Sequence, residues 1–222
     1  VVINCYLVRE EDGFTLIDTG IPGSAQAILD AARTLGAPIV RIALTHAHAD
    51  HVGSLDALHQ LLPQAEVLIT ARDARFLAGE RSLDPDEPQE KLRGSYTTSA
   101  SASSRLLAHG DRVGSLEVIA TPGHTPGHAA FFDIRDRTLI VGDALQTQGG
   151  IAVAGQFKLL FPLPAPATWH KSTALHSARI LRDLNSSRLA VGHGAVLSNP
   201  LPAMDEVIRA AERNIGEAQR VH

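Results

Sequence analysis

A single cysteine, Cys5, is all the thiol this chain has, so no internal disulfide can form and nothing points to an oxidising compartment. Cys5 lies in the apolar run from Val1 to Val8 and reads as a buried strand residue. Excess positive charge is lacking as well. Lysine and arginine number 20 against 24 acidic residues, a formal net charge of -4, which removes the electrostatic footprint of a nucleic-acid binder. No stretch reaches the roughly 18 apolar residues of a membrane span. The first residues lack the charged-then-apolar layout of a secretory signal, and no internal repeat recurs at a fixed short period. The expectation left standing is a cytoplasmic enzyme. With 222 residues, 44% of them hydrophobic and 20% charged, the chain can bury a sizeable core as one domain over 1–222.

Hydrophobic periodicity predicts an alternation of strands and helices. Val1 to Val8 and Phe14 to Ile17 are apolar runs joined by a turn carrying Asp12-Gly13, a hairpin signal. Ser24 is placed to cap a helix with Ala27, Ile28, Ala31, Ala32 and Leu35 on one face, ending at Gly36. Pro38 to Leu44 reads as strand, a helix begins near Ser54, and Ala65 to Ile69 is strand again. Between 79 and 104 the composition turns to Asp-Pro-Asp-Glu-Pro and a serine- and threonine-rich tract, read as a mobile, solvated surface excursion rather than a lid. Strands follow at Arg105 to Ala108, Leu116 to Ala120, Ala129 to Ile134 and Thr138 to Val141. A helix from Thr168 to Leu184, a strand from Arg188 to Val191 and a helix from Pro202 to Gln219 complete the reading. Two sheets packed face to face with helices outside fit this order.

The chemistry gathers in loops after apolar strands. Thr45-His46-Ala47-His48-Ala49-Asp50-His51 puts three imidazoles and a carboxylate into six consecutive positions directly after Ile42-Ala43-Leu44. Protonated imidazoles so close would repel one another, and a divalent cation resolves the crowding. The small Ala47 and Ala49 leave room for the donors to converge.

His46-x-His48-x-Asp50-His51 resembles the signature of the metallo-β-lactamase superfamily, whose fold is a four-layer αββα sandwich of α/β (α+β) class. Further matches are His124 in Thr121-Pro122-Gly123-His124, Asp143 after Leu139-Ile140-Val141-Gly142, and His193 in Gly192-His193-Gly194. Leu16-Ile17-Asp18-Thr19-Gly20 is similar to the family's N-terminal strand and turn. The resemblance implies one metal on His46, His48 and His124, a second on Asp50, His51 and His193, and Asp143 bridging them. Two divalent ions per chain are therefore expected, zinc first, with iron or manganese as alternatives. The implied reaction is attack of a shared hydroxide on a carbonyl, one metal taking the oxyanion and the other the leaving alkoxide or thiolate, with Asp50 moving the proton.

Asp18 resembles a family position that supports the metal site from behind. His128 has two readings, a partner that orients a ligand or a turn residue. His59, His109, His176 and His222 read as solvated. Phe157, Lys158, Phe161, Trp169 and His170 are candidates for the substrate pocket, because the chain between Asp143 and His193 must pass the cleft. Phe157, Leu159, Leu160, Phe161 and Leu163 suggest an apolar wall for an acyl chain or ring, although packing against the core accounts for them as well.

An aspartate bridge is more similar to glyoxalase II and the lactonases than to true β-lactamases. Only one main helix fits after His193, whereas typical glyoxalase II enzymes carry a helical C-terminal domain. His48 argues against flavodiiron relatives, and the large extra domains or basic arms of the RNA-processing branch are missing. The expected function is hydrolysis of a small-molecule ester, lactone or thioester. The alternatives are a mononuclear-iron oxidoreductase similar to persulfide dioxygenases, or a β-lactam or phosphodiester hydrolase. A small molecule is the expected partner, with no nucleic acid or membrane, and a homodimer is left open.

Overall fold

The computed structural model describes residues 2–220, with side-chain burial given through 217, so the reading of His222 lies outside the described residues. In chain order the strands are β1 (Tyr6–Arg9), β2 (Phe14–Ile17), β3 (Ile39–Ala43), β4 (Glu66–Thr70), β5 (Arg105–Leu107), β6 (Arg112–Val113), β7 (Leu116–Ala120), β8 (Ala129–Asp133), β9 (Thr138–Ile140), β10 (Leu145–Gln146), β11 (Ala152–Val153), β12 (Arg188–Ala190) and β13 (Leu197–Ser198). The helices are α1 (Ala25–Thr34), α2 (Ala49–Val52), α3 (Leu55–Leu61), α4 (Ala71–Leu77), α5 (Pro164–Ala167), α6 (Lys171–Asp183) and α7 (Leu201–Arg220). One sheet has the order β1-β2-β3-β4-β5, a second β13-β12-β9-β8-β7-β6, and β10-β11 form a small ribbon.

Period-2 alternation along the central strands sorts the apolar side chains into three cores. Phe14, Leu16, Ile42, Leu44, Val67 and Ile69 face one way and pack with Leu55, Leu58 and Phe76 of the helices outside the first sheet. Their neighbours Ile17, Ala43 and Leu68 face the other way and meet Leu116, Val118, Ala129, Phe131, Ile140 and Ala190 between the sheets. Ala130, Phe132, Leu139, Val141, Leu189 and Val191 turn outward again, onto Ala178 and Leu181 of α6 and Met204 and Val207 of α7. The result is the αββα layering.

Several expectations are corrected. Ser24 stands at the N-cap of α1, where its carbonyl accepts from Ile28 N–H, but its side chain makes no capping hydrogen bond. Cys5 is half-buried and lies just before β1. The helix expected from Thr168 starts at Lys171, because the Trp169 and His170 N–H groups bond to the carbonyls of His124 and Gly123. Helix α4 follows β4 with no residue between, and α2 is only four residues long, so periodicity alone does not mark them.

The excursion of 79–104 is not simply solvated. Its middle part lies against the loop carrying His48, where Ala49 N–H donates to the Ser95 carbonyl at 2.7 Å. Asp56 of α3 accepts from Ser99 Oγ (2.6 Å), Ser101 N (2.9 Å) and Ala100 N (3.1 Å), fixing the far end.

Phe131 is fully buried between the two sheets. Phe131→Ala is expected to lower the free energy of unfolding by about 3–5 kcal/mol, measured by urea denaturation; a loss below about 1 kcal/mol would show that the inter-sheet core does not hold the layers together.

Candidate metal centre

The loops bearing the candidate ligands leave the C-terminal ends of β3, β7, β9 and β12. Strands β9 and β12 are parallel neighbours, which sets Asp143 and His193 side by side, and Gly192 N–H donates to the Gly142 carbonyl at 2.7 Å. A Cβ at Gly192 would run into the Asp143 carboxylate and the His51 ring, so glycine is what allows this close approach.

Each candidate histidine has one ring nitrogen held from outside. Thr45 Oγ1 gives its hydrogen to Asp18 Oδ2 (2.8 Å), so it accepts from His46 Nδ1 (2.9 Å). His48 Nε2 donates to the Arg93 carbonyl at 3.0 Å. His51 Nδ1 donates to Asp18 Oδ2 at 2.8 Å. Thr168 Oγ1 gives its hydrogen to the Pro164 carbonyl (2.8 Å) and accepts from His124 Nδ1 (3.1 Å). His193 Nδ1 donates to the Val2 carbonyl at 2.8 Å. With the outer nitrogens carrying protons, His46 Nε2, His48 Nδ1, His51 Nε2, His124 Nε2 and His193 Nε2 are the atoms turned inward, each a lone pair in the neutral ring.

These lone pairs converge. His46, His48 and His124 form one group whose donor atoms lie within 4.8 Å of one another, and Asp50, His51 and His193 form another. The Asp143 carboxylate reaches both, 3.2 Å from His51 Nε2, 3.4 Å from His124 Nε2 and 3.2 Å from His193 Nε2. All seven residues predicted from the sequence therefore meet at one place, and a third donor group, His46, His51 and Asp143, overlaps the other two.

The fit to cations rests on what is left unpaired. Among the described residues His46 Nε2 is buried without a hydrogen-bond partner, while His51 Nε2 and Asp143 Oδ1 face only each other, at 3.2 Å and outside hydrogen-bond geometry; an unpaired buried polar atom costs about 1–3 kcal/mol. Imidazole and carboxylate donors of this number and spacing suit divalent zinc, iron or manganese.

The electrostatics separate the two groups. Burial, with neighbouring imidazoles adding to it for His46 and His124, pushes both well below the usual range, and burial brings His48 down to about 4. Burial also opposes charge on His51 and His193, but there the carboxylates win. Asp143 and Asp18 raise His51 well above its ordinary value, and Asp143 and Asp50 lift His193 to about 10. Burial pushes Asp143 upward, yet His51 and His193 outweigh it and hold the carboxyl well below its usual value. Protons on the second group thus occupy the role that cations can take.

Behind the donors stand buried acceptors. Asp18 holds a left-handed backbone (φ 59°) and accepts from Thr45 N–H at 2.8 Å as well as from Thr45 Oγ1 and His51. His128 Nδ1 donates to Thr121 Oγ1 (2.8 Å), leaving its Nε2 to accept from the Asp143 N–H at 3.2 Å. Asp73 of α4 escaped the sequence reading. It is fully buried and accepts from Ala47 N (2.9 Å), Thr125 Oγ1 (2.8 Å) and Gly127 N (2.7 Å), tying the 45–51 loop to the 121–128 loop. Burial pushes its carboxyl up to about 6 against the pull of those three donors. A lone aspartate on a short unrecognised helix carries no local signal for this role.

Part of the donor set, His48, Asp50, His124, Asp143 and His193, opens onto a cleft of about 380 Å³ walled by Ile21, Pro22, Phe161, Leu163 and Pro164. Among the five pocket candidates, Phe161 faces this cleft, its ring 5.3 Å from that of His193. Phe157, Trp169 and His170 line a neighbouring cavity of about 440 Å³ instead, and Lys158 lines neither. The continuous apolar wall is corrected too: Leu159 and Leu160 are 82% and 81% exposed, because the loop turns their side chains to solvent. His59, His109 and His176 lie outside the cluster.

Comparison with known proteins agrees with this geometry. The family model described as the metallo-beta-lactamase superfamily matches residues 1–193. The chain is 50% identical over 212 residues to the uncharacterized protein YobT of Bacillus subtilis (strain 168), covering 95% of this chain and 91% of that protein. It is 32% identical over 216 residues to the probable metallo-hydrolase YflN of the same organism, covering 87% and 81%. Hydroxyacylglutathione hydrolase of Xanthomonas campestris pv. campestris (strain B100) is 31% identical over 147 residues, 64% of this chain but only 46% of that enzyme. The crystal structure of TTHA1623 in a di-iron-bound form superposes with a TM-score of 0.64 at 28% identity, covering 90% of this chain and 92% of that one.

Asp73→Asn keeps the shape but faces an NH2 group toward one of three donors. The substitution is expected to cost about 1–3 kcal/mol, read as a lower thermal midpoint; an unchanged midpoint would remove Asp73 from the account.

Proposed function

Because the chain belongs to the metallo-beta-lactamase superfamily, whose members include hydrolases, we propose that it is a two-metal hydrolase cleaving a small-molecule ester, lactone or thioester. The observation that carries this reading is the convergence of imidazole and carboxylate donor atoms from His46, His48, Asp50, His51, His124, Asp143 and His193 beside an open cleft that His48, Asp50, His124, Asp143 and His193 line. His46, His48 and His124 would hold one divalent ion and Asp50, His51 and His193 a second, with Asp143 within reach of both groups. Such a pair supplies Lewis acidity and a bound water acidic enough to act as nucleophile near neutral pH.

The chain's own residues do the rest. Asp50 lies at the mouth of the cleft, its side chain 38% exposed and 3.3 Å from His193 Nε2. Burial works to raise its carboxyl, but His193 and His51 keep it below its usual value, so it stands ionised and able to accept a proton from the attacking water. Ile21, Pro22, Phe161 and Leu163 give the substrate an apolar surface and limit access of bulk water. A volume of about 380 Å³ suits a small molecule as the partner.

Support for acyl cleavage comes from hydroxyacylglutathione hydrolase, of which the chain spans less than half. Zinc is the ion we propose first. The di-iron form of TTHA1623 makes iron the leading alternative.

Turnover of a lactone or thioester panel should vanish on chelation, return with added zinc, manganese or iron, and proceed equally well under nitrogen. Asp143→Ala or His124→Ala should lose metal and more than about a hundredfold in rate together, since even outer partners of metal ligands are worth 10–100-fold. Turnover that survives metal removal, or that consumes oxygen, would overturn the proposal.

A further inference from the structure

The excursion of 79–104 touches the candidate metal centre at one point, His48. Three contacts converge there, and a fourth holds the neighbouring Ala49. The Arg93 carbonyl accepts from His48 Nε2 at 3.0 Å. Gly94, at φ +86°, packs so closely on the His48 ring that a Cβ would overlap it. Ser95 takes the Ala49 N–H at 2.7 Å, and Tyr96 pairs with His48 as an isolated bridge, its ring edge-on at 4.7 Å from the imidazole. Behind this segment, Trp169 Nε1 donates to the Glu90 carbonyl at 3.0 Å. Either side is pinned to the body of the fold, by Arg72 to Glu87 (2.7 Å) and by Asp56 to Ser99 (2.6 Å).

Counting protons shows what this contact demands. His48 Nδ1 lies 3.0 Å from His124 Nε2, so the pair has three places for a hydrogen: toward Arg93, between the two rings, and toward Thr168. Two neutral imidazoles carry only two. If both outer bonds are made, two lone pairs face each other at 3.0 Å; if the middle bond is made, an outer acceptor is abandoned. A cation between the rings satisfies all three positions.

We propose that residues 90–96 form a strap whose closure over His48 and cation binding at His46, His48 and His124 are one coupled event, with Gly94 and the Arg93 carbonyl as the positioning elements. The strap fixes His48 with Nδ1 inward, and the cation in turn holds the strap shut. Glycine at 94 is required, since any side chain displaces the ring. This inference rests on the metal-holding role of His48 and is independent of which bond the protein cleaves.

The test is limited trypsin digestion of chelator-stripped protein with and without zinc chloride, following cleavage after the exposed Lys91 and Arg93, paired with cobalt(II) titration read by absorption. Wild type should be cut at least about ten times more slowly with zinc. Gly94→Ala should be cut rapidly with or without zinc and bind cobalt at least about tenfold more weakly, the usual cost of losing an outer partner of a ligand. Gly110→Ala is the control, because Gly110 has the same backbone angle (φ +85°) with nothing near its missing Cβ, and it should behave as wild type in both assays. Should Gly94→Ala fail to fold, Trp169→Phe, which removes the indole N–H given to Glu90 together with part of the buried ring, should speed cleavage of the zinc-loaded protein. Zinc-independent cleavage of wild type, or equal cobalt affinity in Gly94→Ala and Gly110→Ala, would overturn the proposal. Loss of the hydrolase reading with these results intact would leave the strap standing.

Discussion

The structure turns on a single requirement: five buried imidazoles must point a bare nitrogen at one small volume. An imidazole does this only when its other nitrogen is held, and here each is held by an oxygen, from Thr45, Arg93, Asp18, Thr168 or Val2. Two of those oxygens are hydroxyls committed as donors elsewhere, which removes the opposite tautomer. The site is thus an arrangement of acceptors outside and lone pairs inside, and a cation is the natural partner for the inner set.

The layers exist to hold that arrangement. Alternating apolar residues lock the two sheets together and bring the C-terminal ends of β3, β7, β9 and β12 to one rim. Buried carboxylates then join the loops across the rim. Asp18 ties the β2 turn to Thr45 and His51, and Asp73 ties the first histidine loop to the second. Each accepts several hydrogen bonds where water cannot reach, so neither loop can shift alone.

Most of the strands and helices and the His46 to His51 cluster were legible in the sequence because the evidence for them is local, whereas His124, Asp143 and His193 were named through the family resemblance. Apolar strands announce themselves by alternation, and His46 through His51 crowd into one loop. What escaped depends on chain segments distant in sequence. Asp73 acts through residues 26 and 54 positions away. The polar 79–104 tract has the composition of a solvated loop, yet Gly94 and Arg93 lie against His48 through contacts no composition encodes. The pocket wall was misjudged for a related reason: from Phe157 to Leu163 the loop buries Phe161 alone, beside the site, while Leu159 and Leu160 face water.

The central claim is that the convergent donors hold two divalent ions. Elemental analysis of the protein, purified without added metal or chelator and then dialysed against zinc, tests it most directly. The account predicts two equivalents per chain. A chain that saturates at one equivalent, or binds none, would contradict it.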